Sequence, residues 1–123
     1  MKDCIFCKII KGEIPSYTIY EDDIVKVFLD ANPDDNGHML IVPKKHITDF
    51  TELDNETLSH INDVLKNKLK PLIYEKLNPK GLRIVNNYGI YQFVKHYHLH
   101  VIPCYEPKEN LISTEDIFNK LTK

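Results

Sequence analysis

The densest chemistry in the chain lies in His96-Tyr97-His98-Leu99-His100-Val101-Ile102-Pro103, where three histidines alternate with apolar residues. Successive side chains on a β-strand point to opposite faces, so the alternation predicts three imidazoles on one face. Tyr97, Leu99 and Val101 then pack on the other. A core strand gains nothing from three polar rings that each need a partner, so the pattern points to a site. Strand rise sets neighbouring histidines about 6.6 Å apart and the outer pair about 13 Å apart. A zinc ion sits within about 6 Å of the Cα of the histidine that binds it. Two neighbours can share one metal, but three on a regular strand cannot. At least one is left for phosphate contact or nucleophilic attack.

Cys4-x-x-Cys7 is the second pattern with chemical meaning. Two thiols at this spacing supply half of a tetrahedral zinc site, and His46 and His96 are available as the other half. A redox Cys-x-x-Cys normally follows a strand and opens a helix whose N-terminus lowers the thiol pKa. No strand precedes Cys4, which favours the metal. Two small buried residues of an N-terminal turn are the bland alternative. Asp30 closes an apolar strand and His38 opens the next, separated by Asn32-Pro33-Asp34-Asp35-Asn36-Gly37, the clearest loop in the chain. A carboxylate at Asp30 can accept two ribose hydroxyls or simply cap the turn, and His38 joins the triad if the strands are neighbours. His60 falls between apolar positions of a helix and reads as a bystander. Cys104 is assigned no role.

The elements that must hold these residues follow from periodicity. Residues 4–11 read as a turn and a short helix. Tyr17 to Tyr20 and Ile24 to Leu29 read as strands joined at Glu21-Asp22-Asp23, and His38 to Val42 as a third strand stopped by Pro43. After N-cap chemistry at Thr51 to Asp54, Leu58, Ile61, Val64, Leu65, Leu69, Leu72 and Ile73 recur at helical spacing, predicting one long helix over 55–77. Pro71 should kink it. Leu82 to Asn86 reads as a strand, and a short helix over 115–121 starts from Ser113 or Thr114. Strands on both sides of one long helix, with hairpin-length links, predict an α+β fold with an antiparallel sheet.

With 123 residues, 42% of them hydrophobic and 28% charged, the chain reads as one domain over 1–123 with a sizeable core. A net charge of −2 gives no reason to expect nucleic acid or an acidic membrane as partner, and Arg83 is the only arginine. No apolar run approaches the ~20 residues that span a bilayer. Met1-Lys2-Asp3-Cys4 lacks the apolar core of a secretion signal, and the three cysteines are odd in number, so a cytoplasmic location is expected.

The triad resembles the His-x-His-x-His-x-x signature of the histidine-triad (HIT) superfamily, with apolar residues at x. Four further blocks, in order, resemble its Hint-like branch: Cys4 to Pro15, Phe28-Leu29-Asp30, Gly37 to His46, and Gln92-Phe93-Val94-Lys95-His96. The resemblance covers about residues 3–104. It implies a five-stranded antiparallel sheet with one long helix and short terminal helices, pairing into a homodimer. It implies a nucleotide-binding hydrolase that cleaves at the α-phosphate of purine nucleotide conjugates, such as AMP bonded to an amine. By that resemblance His98 is the nucleophile of a covalent nucleotidyl-histidine, and His96, His100 and His38 complete the catalytic set. His100 and His38 contact phosphate, Asp30 binds ribose, and Asn86 and Gln92 stand near phosphate and leaving group. Cys4, Cys7, His46 and His96 match a structural zinc site. A dinucleoside polyphosphate hydrolase of the Fhit-like branch, or a nucleotide- or zinc-binding module with vestigial chemistry, are the alternatives. Tyr91 and Phe93 flank Gln92 where the family usually has glycine and a small or polar residue. The segment 86–96 is about one residue short, so Asn87 competes with Asn86.

Overall fold

In a computed structural model that describes residues 3–123, five strands form one antiparallel sheet. They are β1 (Thr18–Glu21), β2 (Val25–Leu29), β3 (Met39–Pro43), β4 (Gly81–Val85) and β5 (Leu99–Cys104), in the order β1-β2-β3-β5-β4. Met1 and Lys2, which enter the reading of the N-terminus, lie outside the described residues. The order follows from the connections. Short links make β1, β2 and β3 a meander, the helical segment carries the chain to the far edge, and β5 returns between β3 and β4. The expected antiparallel α+β architecture is the one observed.

Five helical segments cover the sheet: α1 (Ile5–Ile10), α2 (Asn55–Val64), a π-helical turn (Leu65–Leu69), α3 (Lys70–Lys76) and α4 (Thr114–Thr122). Val25, Val27, Leu29, Met39, Ile41 and Val101 point to one face, where Ile61, Val64, Leu69, Ile73, Ile117 and Leu121 complete the main core. Phe28, Leu40 and Val42 point the other way, towards Phe6 and Ile9 of α1. Both faces of β2 and β3 are therefore buried, which explains their near-continuous apolar runs. Leu40 lies opposite both Phe28 and His100, so His100 is on the α1 face.

Local signals set the helix ends. Asp54 caps α2 by accepting the Thr57 N–H at 2.7 Å, and Ser113 caps α4 by accepting the Asp116 N–H at 3.0 Å. The disturbance expected at Pro71 takes the form of the π turn just before it. The Lys70 N–H bonds back five residues to Leu65 O, a wider turn that eases the contact between the proline ring and the carbonyl four residues earlier.

One expectation needs correction. Only His100 of the triad lies on a strand, because β5 begins at Leu99 and residues 94–98 are irregular. The β3–β5 ladder stops at Ile41↔Leu99. Beyond it, Pro43 has no N–H to offer and its carbonyl accepts from the His96 imidazole at 2.7 Å, while the Tyr97 N–H goes to Ile47 O. The alternation still survives the loss of pairing. Tyr97 and Val101 are in the main core, and His96 and His98 contact Phe6 on the α1 side.

Candidate functional site

Three of the imidazoles in this site have one nitrogen held by a main-chain group. His98 Nδ1 lies 2.8 Å from His96 O, a carbonyl that can only accept, so Nδ1 carries the proton and Nε2 keeps its lone pair. His96 Nε2 donates to Pro43 O at 2.7 Å, which leaves its Nδ1 free as a ligand atom. His38 Nδ1 accepts the Asp34 N–H at 3.0 Å, so in the neutral ring Nε2 bears the proton. That proton points at His100 Nδ1, 2.9 Å away. His100 then carries its own proton on Nε2. The Asn87 Nδ2 beside it at 3.4 Å is itself a donor and does not take that proton, which stays available to an outside acceptor. The relay runs one way, from loop backbone to an N–H that can meet an anion.

Burial keeps these rings neutral. It lowers the pKa of His38, against the opposing pull of Asp30 and other nearby carboxylates. It lowers His98, against the bond to His96 O, and lowers His100 with help from His38. His96, fully buried, falls to about 4 for the same reason, against its bond to Pro43 O. The His98 ring stands edge-on to Phe6 and His100, with centroids 4.9 Å away in both cases. A neutral imidazole with a free Nε2 beside a second imidazole N–H is equipped to attack an electrophile and to steady the charge that develops on it.

Asp30 joins the group at the end of β2. Its Oδ1 accepts the Asn32 N–H at 2.8 Å, the turn role, while Oδ2 lies 3.5 Å from His38 Nε2 with 20% of the side chain exposed. Asp30, His38 and His100 are close enough to hold a metal. The His38 bonds argue against it: coordination through Nε2 would move the proton to Nδ1, against the Asp34 N–H.

Cys4, Cys7, His46 and His96 form a second cluster, with ligand atoms all within 4.8 Å of one another. Cys7 Sγ is 3.2 Å from His46 Nδ1 and 3.5 Å from His96 Nδ1, and Cys4 Sγ is 3.3 Å from His96 Nδ1. A tetrahedral site with Zn–S near 2.3 Å and Zn–N near 2.0 Å has S···N edges of about 3.5 Å. The donor set therefore fits a metal that takes sulfur and nitrogen. Burial and the neighbouring Cys4 thiol raise the Cys7 pKa in the protein alone, and the three cysteines are free thiols.

The remaining expected residues are placed as follows. Asn86 Nδ2 donates to His98 O at 3.2 Å and braces the backbone of that histidine, whereas Asn87 reaches the His100 ring. Gln92 is buried and its amide nitrogen donates to Thr48 O and Val94 O, tying down the loop. Tyr91 and Phe93 are 67% and 89% exposed. His60 is far in role from the triad, bonded to Asp22 at 2.7 Å. Sequence reasoning missed the Asp34 N–H, the Pro43 carbonyl and the Phe6 edge. Only Phe6 left a signal, between the two cysteines.

The fold and site together define a class: an antiparallel α+β domain with a histidine triad on the α1 face of its sheet. The HIT domain family model matches residues 11–107, and the chain belongs to the HIT family. An uncharacterized HIT-like protein of Methanocaldococcus jannaschii is 43% identical over 94% of this chain and 90% of its own length. The adenosine 5'-monophosphoramidase hnt1 of Schizosaccharomyces pombe is 37% identical over 81% of this chain and 73% of its own. Among solved structures, a Zn-bound histidine triad family protein from Mycobacterium smegmatis superposes with a TM-score of 0.87 at 31% identity, covering 98% of this chain and 91% of that one.

Proposed function

We propose that this protein is a nucleotide hydrolase that cleaves purine nucleoside 5'-phosphate conjugates, AMP phosphoramidates above all, at the α-phosphorus. The observation that carries the reading is the His98 tautomer: Nδ1–H on the His96 carbonyl at 2.8 Å and Nε2 free. His98 Nε2 forms a bond to phosphorus as the P–N bond breaks, and the leaving nitrogen, protonated from solvent, departs as the free amine. Water then attacks the nucleotidyl-histidine, releasing the nucleoside monophosphate and restoring the ring. His100 Nε2–H, aligned through His38, meets the phosphate oxygens. In this reading Asp30 Oδ2 is the ribose acceptor, and Asn87, which reaches the His100 ring, takes the phosphate-side role ahead of Asn86, which reaches the His98 carbonyl. A phosphoramidase among the relatives supports the substrate class.

The same reading makes Cys4, Cys7, His46 and His96 the ligands of a structural zinc ion, which supplies a cross-link and no electrophile. It makes the working protein a homodimer. In the decisive test, His98→Ala lowers turnover of adenosine 5'-phosphoramidate by about 10³-fold or more while AMP binding survives. Equal rates in variant and parent would end the proposal.

A further inference from the structure

The tail from Tyr105 has no part in the reading above, yet its hydrogen bonds converge on one residue of the loop that carries Asp30 and His38. Asn36 is 5% exposed. Its Oδ1 accepts the Ile112 N–H at 3.0 Å, and its Nδ2 donates to Asn110 O at 2.9 Å and lies 3.4 Å from Glu109. Its carbonyl accepts the Tyr105 hydroxyl at 2.7 Å. Beside it, Lys108 reaches Asp35 at 3.8 Å. Ile112, Thr114 and Ile117 line a small open cleft of about 10 Å³ together with Asp30, Pro33 and His38, so the tail end and the loop share one surface.

The loop held in this way sets the geometry of the site. The Asp30 N–H donates to His38 O at 3.0 Å and the His38 N–H to Asp35 O at 3.1 Å, closing the loop on itself. Between them the Asp34 N–H donates to His38 Nδ1. A hydrogen bond weakens steeply with misalignment, so a small shift of residues 34–36 releases that nitrogen. The His38 proton is then no longer confined to Nε2, and the donor that orients His100 is lost. An amide that forms three part-buried hydrogen bonds to one distant segment is an anchor, because the Asn36 side chain is itself buried and each bond left unmade strands a desolvated group.

We propose that residues 105–112 are a positioning strap for the nucleotide site, acting through Asn36 on the Asp34 N–H and so on the tautomer of His38. The role of Asp30, His38 and His100 towards nucleotide rests on the function proposed above. The positioning claim itself does not. Two full-length variants test it. Tyr105→Phe removes one hydroxyl and keeps the ring, and Asn36→Ala removes the anchor. In the parent, ¹⁵N chemical shifts are expected to identify His38 Nδ1 as unprotonated. Both variants are expected to show mixed protonation at His38 with His98 unchanged. With adenosine 5'-phosphoramidate, KM rises by about fivefold for Tyr105→Phe, the value of roughly one net hydrogen bond, while kcat changes less. Asn36→Ala exceeds that rise. If Asn36→Ala does not fold, Tyr105→Phe decides. A folded Tyr105→Phe protein with the parental His38 shifts overturns the proposal, and so does an unchanged KM in an active enzyme. If the parent neither binds AMP nor turns over substrate, the functional reading fails, and the His38 shifts alone decide whether the strap positions the loop.

Discussion

At the scale of single residues, the site depends on which nitrogen of each ring is held, and the holders are main-chain atoms. The triad spacing made the histidines visible in the sequence, and the cysteine spacing made the second cluster visible. Neither reveals a tautomer, since the Asp34 N–H reaches its ring through the particular fold of its loop and Pro43 O reaches its ring through a tertiary contact. Asp22 shows the same logic outside the site. The sequence reading placed it correctly in a hairpin turn. It did not anticipate that one carboxylate accepts four donors: Ile24 and Val25 N–H on Oδ1, and the Tyr20 hydroxyl and His60 on Oδ2. Burial disfavours the charge, but these bonds outweigh it and hold the pKa at about 2. A folded pKa below the unfolded value means stability that is complete above about pH 3.9 and is lost as pH falls towards 2. With a quarter of the side chain exposed, solvent screening trims the effect to about 1–2 kcal/mol. Urea titrations at pH 7, 4 and 2.5 should show the parent losing that increment and Asp22→Asn lacking it at every pH. Parallel curves would count against the assignment.

At the scale of elements, α1 has the weakest independent claim to its place. It has six residues, of which Phe6, Ile9 and Ile10 pack on the sheet core, and it is far below the length at which a helix is stable alone. What ties it down is the cluster of Cys4 and Cys7 with His46, just after β3, and His96, just before β5. The Cys4 side chain also accepts the Cys7 N–H at 3.3 Å, so the first ligand doubles as the N-cap of the helix. Purified protein is expected to contain one zinc ion per chain by elemental analysis. A chelator should remove it, lower the melting temperature by several degrees and speed hydrogen exchange selectively in α1. Zinc-free protein with α1 fully protected would defeat the cross-link. The strand carrying the triad was the element read least well. Alternation fixes which face a residue takes, but the length of a ladder depends on its partner, and β3 ends in a proline whose carbonyl is taken by a side chain.

At the scale of the molecule, the order β1-β2-β3-β5-β4 leaves β4 as an edge whose outer backbone groups face no strand. Ile84 on this edge registers against Val101, which points into the main core, so Ile84 shares the helical face. It is nevertheless 45% exposed, because α2 and α3 do not extend over it. An open edge with an uncovered aliphatic residue is a template for pairing, and natural sheets normally cover or charge such an edge. A second copy aligned edge to edge would cover Ile84 and continue the sheet, which fits the homodimer that the family resemblance implies. The pairing also bears on the site. Val85 registers against His100, and the next two residues, Asn86 and Asn87, touch the His98 carbonyl and the His100 ring. A partner that stiffens β4 therefore stiffens the asparagine side of the cleft. Sedimentation velocity should show a species of twice the chain mass for the parent. Ile84→Glu, which places a charge where an apolar side chain is needed, should sediment as a folded monomer. Because β4 leads directly into Asn86 and Asn87, the monomer should also bind AMP less tightly. A monomeric parent at every concentration, or an Ile84→Glu protein that stays dimeric, would remove β4 as the interface.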